Sequence, residues 1–101
     1  MNDVGNMYYN GNGVIQDFYE AVKWYRKAMD ARSVWGTRNL GYCYYWGKGV
    51  PENNAKAFEY FSKAAQEGNS DSMIYLGHMY RKGYYVSSNS ERALDWYKKS
   101  M

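Results

Sequence analysis

The sequence predicts an all-α fold, an α-solenoid of about three antiparallel helical hairpins with a 36-residue period. Two observations carry this prediction. Framework residues recur every 36 residues without a gap, and each copy holds two helical segments separated by glycine-rich turns. The recurring sets include Gly5, Gly41 and Gly77; Tyr8, Tyr44 and Tyr80; Gly11, Gly47 and Gly83; Ala21, Ala57 and Ala93. Repeated hairpins of this kind bury their apolar faces by stacking on one another.

The first helix of each unit is clearest in the second copy, where we predict it from a cap near Ser33 to about Trp46. Its small and apolar positions are Thr37, Leu40, Gly41 and Tyr44. They follow the i, i+3, i+4, i+7 spacing of one buried face. Gly47 and Gly49 then end the helix, because glycine accepts the left-handed conformation found after a helix C-terminus.

The second helix of that unit is predicted to begin at Asn53 and to end before Gly68. Its copy begins at Asp17, and Glu20 three residues later resembles a capping box. Each unit therefore has a defined start for both of its helices.

Small residues on the two helices predict a close crossing within the hairpin. Ala57 and Ala64 lie seven residues apart, two turns along one face, and we expect Gly41 opposite them. A missing side chain at these positions lets the backbones approach, so a larger residue at Gly41 is expected to overpack the crossing.

Three positions depart from the repeat. Arg32 stands where Gly68 ends the corresponding helix, so we expect the first turn between units to be distorted or lengthened. Tyr85 replaces the second loop glycine and Ser87 the proline, which weakens the prediction for the third loop.

The 101 residues form a single repeat domain. Its units are residues 1–36, which lack the start of the first helix, 37–72, and 73–101, which stop short of the last helix end. We therefore expect a piece of a longer array. Val4, Met7 and Tyr8 at one end, with Trp96, Tyr97 and Met101 at the other, predict uncapped apolar helices and self-association through them.

Charge and composition exclude several classes of function. Thirteen Lys and Arg against ten Asp and Glu give a net charge of +3, too small for a nucleic-acid footprint. Neither a signal-peptide pattern nor a run of about 18 apolar residues is present, so we expect a soluble chain without direct membrane insertion. The cellular compartment stays open.

The string NLGYCYYWGKGV at residues 39–50, followed by Asn, Ala, an aromatic pair and Lys-Ala, resembles the Sel-one-like repeat, a relative of the tetratricopeptide repeat. The resemblance covers the whole chain. It implies a scaffold or adaptor that holds other proteins together and is seldom an enzyme. A cysteine-rich branch of that family is linked to β-lactam binding, but its units carry paired cysteines and this chain has Cys43 alone.

The internal copies separate framework positions from free ones. On the first helices the free positions are Asn2, Asn6 and Tyr9; Arg38, Tyr42 and Tyr45; Ile74, His78 and Arg81. Offsets of four and three place each trio on one helix face, and in related helical repeats that face lines the concave groove. Tyrosine and arginine suit binding, so the sequence predicts a groove for a protein or peptide. The competing interpretation is a set of solvated positions with no ligand.

No constellation of residues supports catalysis, a metal or a cofactor. Cys43 aligns with Met7 and Met79, which predicts a small core residue. His78 is the only histidine, so no second ligand completes a zinc site. The glycine loops lack phosphate-binding spacing. We expect no enzyme, no metal and no cofactor.

Two alternatives to a peptide-binding scaffold remain open. One is a structural segment of a longer array, and another is a small-ligand or weak hydrolase module. A third, stacking of single-stranded nucleic acid on aromatic rings, is disfavoured because the aromatic pairs repeat at packing positions. These pairs are Trp24 and Tyr25, Tyr60 and Phe61, and Trp96 and Tyr97, and we expect all six in the core.

Overall fold

The computed structural model describes residues 1–101 as six α-helices without a strand, which confirms the predicted all-α solenoid. The helices are α1 (Asn2–Asn10), α2 (Phe18–Asp30), α3 (Val34–Trp46), α4 (Asn54–Gln66), α5 (Ser70–Lys82) and α6 (Ser90–Ser100). Each helix packs mainly against its neighbours in the chain, so α1, α3 and α5 form one layer and α2, α4 and α6 the other. None of the six is long and apolar enough to cross a lipid bilayer.

Side-chain caps fix where the helices begin. Ser33 and Asn53 cap α3 and α4 as predicted, each accepting a hydrogen bond from the backbone N–H three residues later. Asp17 does the same for the N–H of Glu20, at 3.2 Å. The other half of the predicted capping box is replaced, since the backbone N–H of Asp17 donates to the Tyr8 carbonyl at 2.9 Å. That bond, repeated in every unit, ties the end of the first helix to the start of the second.

The turns between units keep one geometry even where glycine is absent. Arg32 has φ +66°, in the same left-handed region as Gly68 at φ +91°. Its N–H donates to the carbonyl three residues earlier at 2.8 Å, as that of Gly68 does at 2.9 Å. The expected distortion of this turn is therefore wrong. Tyr85 likewise adopts φ +65° in the third loop, where the second loop has Gly49 at φ +77°.

A glycine on the first helix meets an aromatic ring on the second in every hairpin. A Cβ added at Gly41 would lie 2.7 Å from Cδ1 of Phe61, and one at Gly77 would lie 2.4 Å from Cε1 of Tyr97. Gly5 faces Tyr25 in the same way, at 2.6 Å. The expectation that Gly41 crosses Ala57 and Ala64 is thus wrong about the partner, although the close approach itself is present.

The core runs along the seam between the two helix layers. Its fully buried large side chains are Phe61, Leu40, Leu76, Met79 and Cys43. Of the six aromatic residues expected in the core, Tyr25, Tyr60 and Phe61 are buried. The other three, Trp24, Trp96 and Tyr97, are only partly buried. Lys27 Nζ lies 4.5 Å from the ring centre of Trp24, and Lys99 Nζ lies 4.7 Å from that of Trp96. The lysine stems shield tryptophans that the helix layers do not cover.

We expect Gly41→Ala to destabilise the protein, because its methyl group would overlap the Phe61 ring. Overpacking of this kind costs about 1–3 kcal/mol of unfolding free energy, measurable by urea denaturation. Lys63→Ala, at an exposed helical position on α4, is the matched control and should stay within about 0.5 kcal/mol of the wild type. Equal stability of Gly41→Ala and the control would contradict the ring contact.

We expect Arg32→Gly to stabilise the protein by up to about 1 kcal/mol, because glycine adopts the left-handed conformation without steric cost. Arg32 is exposed, so the change removes little packing. The reciprocal variant, Gly68→Ala, should be less stable than the wild type, since nothing within 4 Å would compensate its strain. Urea midpoints that move in the same direction for both variants would refute this account.

Candidate binding face

The helices α1, α3 and α5 form a common surface, which we call the first-helix face. Direct side-chain contacts join them: Asn39 Nδ2 donates to Asn2 Oδ1 at 2.8 Å across α3 and α1. Across α3 and α5, Arg38 Nη1 lies 2.8 Å from Asp71 Oδ2. The predicted site residues Asn6, Tyr9, Arg38, Tyr42, Tyr45, Ile74, His78 and Arg81 all belong to these three helices.

The α1 end of the face is polar and largely occupied by internal hydrogen bonds. Asn6 Oδ1 accepts from the Tyr25 hydroxyl at 2.7 Å and from Asn39 Nδ2 at 3.3 Å. A cleft of about 200 Å³ lies beside it, with Tyr9 and Tyr42 among its lining residues. The structure therefore brings Asn6, Tyr9 and Tyr42 together across two units.

Arg38 is held in place by its neighbours. It pairs with Asp71, and its Nε and Nη2 donate to Asn39 Oδ1 at 3.2 and 2.9 Å. Its guanidinium also lies 4.7 Å from the ring centre of Trp35 and 5.0 Å from that of Tyr42. Because its donors already have partners, Arg38 organises the face more than it offers free hydrogen bonds.

An aromatic cluster occupies the middle of the face, where α3 meets α5. Tyr75 lies 4.9 Å from Tyr42 and 5.3 Å from Tyr45, measured between ring centres. It stacks on the buried ring of Phe61 at 4.9 Å, with 18° between the ring planes. Burial raises the pKa of Tyr42 to about 12, so its hydroxyl stays protonated and can donate.

Sequence reasoning missed Tyr75, the residue that connects this cluster. Its counterparts in the other units are Asp3 and Asn39, so its column differs among the copies as the predicted columns do. That variation was the available signal. It points to the same face because the column lies three residues before the one containing Tyr42 and His78.

Residues at equivalent positions in the three hairpins pair differently. In the first hairpin Tyr25 donates to Asn6, and in the third the Tyr97 hydroxyl lies 2.9 Å from His78 Nδ1. In the second, Phe61 has no hydroxyl and meets Tyr42 edge-on at 5.7 Å. A hydroxyl on the second helix is thus matched by a hydrogen-bonding partner on the first.

Ile74 and Arg81 are the exposed members of the predicted set. Ile74 is 36% exposed, and no structural interaction of its side chain marks it as part of the core. Arg81 is exposed at the end of α5, where its charge adds to the larger effect of burial in lowering the pKa of His78. These two side chains are free to meet a ligand without first breaking an internal contact.

The residues to consider for catalytic or metal chemistry are Cys43 and any groups of His, Cys, Asp and Glu side chains. Cys43 is fully buried as predicted, and burial raises the pKa of its thiol to about 12, which disfavours the nucleophilic thiolate. No three His, Cys, Asp or Glu side chains lie together as a metal would require. The largest surface cleft, about 470 Å³, lies away from the predicted residues, between the start of α2 and the loop Gly47–Pro51.

Comparison with protein families identifies three consecutive matches to the Sel1 repeat, over residues 1–32, 36–69 and 70–100. No curated protein shows significant similarity to the chain.

Two solved structures are similar over nearly the whole chain. A Sel1 repeat protein from Oxalobacter formigenes is 35% identical with a TM-score of 0.94, covering 98% of this chain and 40% of its own. The protein c5321, a protective antigen of uropathogenic Escherichia coli strains with an SLR fold, is 35% identical with a TM-score of 0.93, covering 97% and 21%. The chain thus spans less than half of either protein.

We expect the stability of the protein to fall below about pH 6.5 in a way that depends on His78. Burial, then Arg81 and Lys82, lower the pKa of His78, so the folded chain favours the neutral ring, whose Nδ1 lies 2.9 Å from the Tyr97 hydroxyl. The unfolded chain binds the proton more readily, so unfolding becomes easier as pH drops through the unfolded value toward the lower folded one.

The matched variant is His78→Asn, which copies Asn6 and provides a hydrogen-bonding partner for the Tyr97 hydroxyl that does not titrate. Urea denaturation of both proteins between about pH 7.5 and pH 5 should show a smaller loss for the variant. An NMR titration of the His78 ring should give a pKa below about 6.5. Identical pH dependence in the two proteins would rule out this role of His78.

Proposed function

Because the chain belongs to the Sel1 repeat family, we propose that it is a protein-interaction scaffold that binds a peptide segment of a partner along a groove on the first-helix face. The family is generally one of interaction scaffolds and is typically non-enzymatic. The partner would be a protein or peptide, and the residues that bind it would come from α1, α3 and α5.

The observation that carries this proposal is the cluster of Tyr42, Tyr45 and Tyr75, half-exposed on one side and packed on Phe61 on the other. Packing fixes the rings before any ligand arrives, so little side-chain entropy is lost on binding. Tyrosines held in this way provide large contact area with a polar tip, as binding hot spots do.

Polar groups on both sides of the cluster suit an extended peptide. At the α1 end, Asn10 is exposed beside the cleft and offers an amide donor and acceptor of the kind that pair with a peptide backbone. Arg81 and Lys82 at the α5 end offer positive charge. A ligand lying across α1, α3 and α5 would therefore meet amides, then rings, then cations.

The test is selection of peptides from a displayed random library on the immobilised protein, followed by affinity measurement of the enriched peptides. The variant Ile74→Glu, Arg81→Glu changes two exposed side chains of the face and spares the core. This variant should bind the enriched peptides at least tenfold more weakly than the wild type, because it adds two carboxylates and removes one cation.

The matched control is Tyr19→Glu, Lys23→Glu, which alters two exposed side chains of α2 in the other layer. It should bind the peptides as the wild type does, and circular dichroism should show equal helicity for all three proteins. Equal binding by the two variants would reject the groove. Failure to enrich any peptide would reject the scaffold role for this chain.

A further inference from the structure

A second cleft, of about 250 Å³, opens at the α5 end of the first-helix face. Its lining residues are Tyr45, Trp46, Glu52, Asn54, Lys82 and Tyr84. Pockets for drug-sized molecules measure roughly 300–1,000 Å³, so this cleft fits one side chain or one small ring. Its occupant can be inferred by comparing the equivalent place in the first unit.

In the first unit that place is filled from within the chain. Phe18, the first residue of α2, packs edge-on against Tyr9 with ring centres 5.1 Å apart. Lys48 Nζ lies 5.3 Å from the centre of the Phe18 ring. Tyr45 is the second-unit copy of Tyr9, but the copy of Phe18 is Asn54, which has no ring. The start of α4 therefore leaves the neighbouring space open.

The rim of the open cleft is more aromatic than its filled counterpart. Trp46 and Tyr84 stand where the filled place has Asn10 and Lys48, whereas Lys82 stands where the filled place has Trp46. Trp46 is 53% exposed and lies 4.8 Å from Tyr45 between ring centres, and Tyr84 lies 6.1 Å from Tyr45. The open cleft thus lacks the ring that fills its counterpart and has one more ring around it.

The adjacent loop also differs between the two places. In the second loop, Gly49 lies so close to α2 that an added Cβ would sit 2.4 Å from the Phe18 carbonyl oxygen. The third loop has Tyr85 at that position, and its ring lies 5.4 Å from that of Phe58 on α4, measured between ring centres.

We propose that this cleft binds an aromatic side chain of the partner peptide, in the place that Phe18 fills in the first unit, with an acidic residue beside it. The inference rests on the proposed peptide-binding function and names the ligand of one part of that face. Lys82 in the lining and Arg81 next to it outnumber Glu52, the one carboxylate present, and so favour a neighbouring acid over a base.

The decisive variant is Asn54→Phe, which supplies the missing ring from within the chain as Phe18 does. Its control is Gln66→Phe, which adds the same ring at an exposed position at the far end of α4. Asn54→Phe should melt at the same temperature as the wild type or higher, because the ring enters existing space. Loss of affinity would then reflect an occupied cleft and not an unfolded protein.

The probes are acetyl-Asp-Phe-Asp-amide and its analogues with Ala in place of Phe or Lys in place of Asp, titrated into ¹⁵N-labelled protein. A single aromatic anchor is expected to bind with a Kd of about 1 mM, seen as a shift of the Trp46 indole N–H signal. The Ala and Lys analogues should bind at least tenfold more weakly, as should the parent peptide to Asn54→Phe. Gln66→Phe should bind as the wild type does.

Two results would overturn the inference. They are no shift with up to about 10 mM peptide, and equal binding by Asn54→Phe and the wild type. Library-selected peptides that lose binding to Ile74→Glu, Arg81→Glu but keep it with Asn54→Phe would refute this cleft alone. The proposed function would survive that outcome, whereas failure of both variants to alter binding would refute both.

Discussion

The contact between a glycine of the first helix and a ring of the second sets the geometry of every hairpin. Because Gly5, Gly41 and Gly77 have no side chain, the ring lies directly on the helix backbone, and the two helices approach at the same point in each unit. The large buried side chains on either side, such as Leu40 and Leu76, then fill equivalent spaces. The repeat is regular because the two helices approach each other in the same way at this contact in every hairpin.

The same contact links packing to the candidate binding face. The rings that pack against the glycines extend toward the first-helix face. In each hairpin, a residue of that face must therefore match the polarity of the ring. Asn6 accepts a hydrogen bond from the Tyr25 hydroxyl, and Tyr42 packs edge-on against the ring of Phe61, which has no hydroxyl. The residues that vary among the copies on this face are therefore partly determined by the core ring behind them. This explains why several predicted site residues already make contacts within the chain.

Periodicity accounts for how much of this structure the sequence predicts. The matching copies predicted the helix starts at Ser33 and Asn53, because a capping side chain bonds to a backbone N–H only three residues later in the chain. The ring partner of Gly41 was not predicted, because the repeat period identifies equivalent residues but does not determine how one helix is rotated against the other. Variation among the copies predicted the residues of the candidate face, whereas Tyr75 was overlooked because its importance comes from stacking on a residue of another helix. Arg32 shows that surrounding structure can impose a left-handed turn without glycine.

The restriction of contacts to consecutive helices has a consequence for how the chain reaches this structure. Because each helix contacts its neighbours in the chain, only short loops must close before the contacts form. Contact order is therefore low, and closing the loops costs little conformational entropy. Buried residues are concentrated in α3 and α4, whereas α1 and α6 contribute one each. We infer that the middle hairpin nucleates the structure and that the outer helices add to it, as in growth of a one-dimensional lattice from an internal seed.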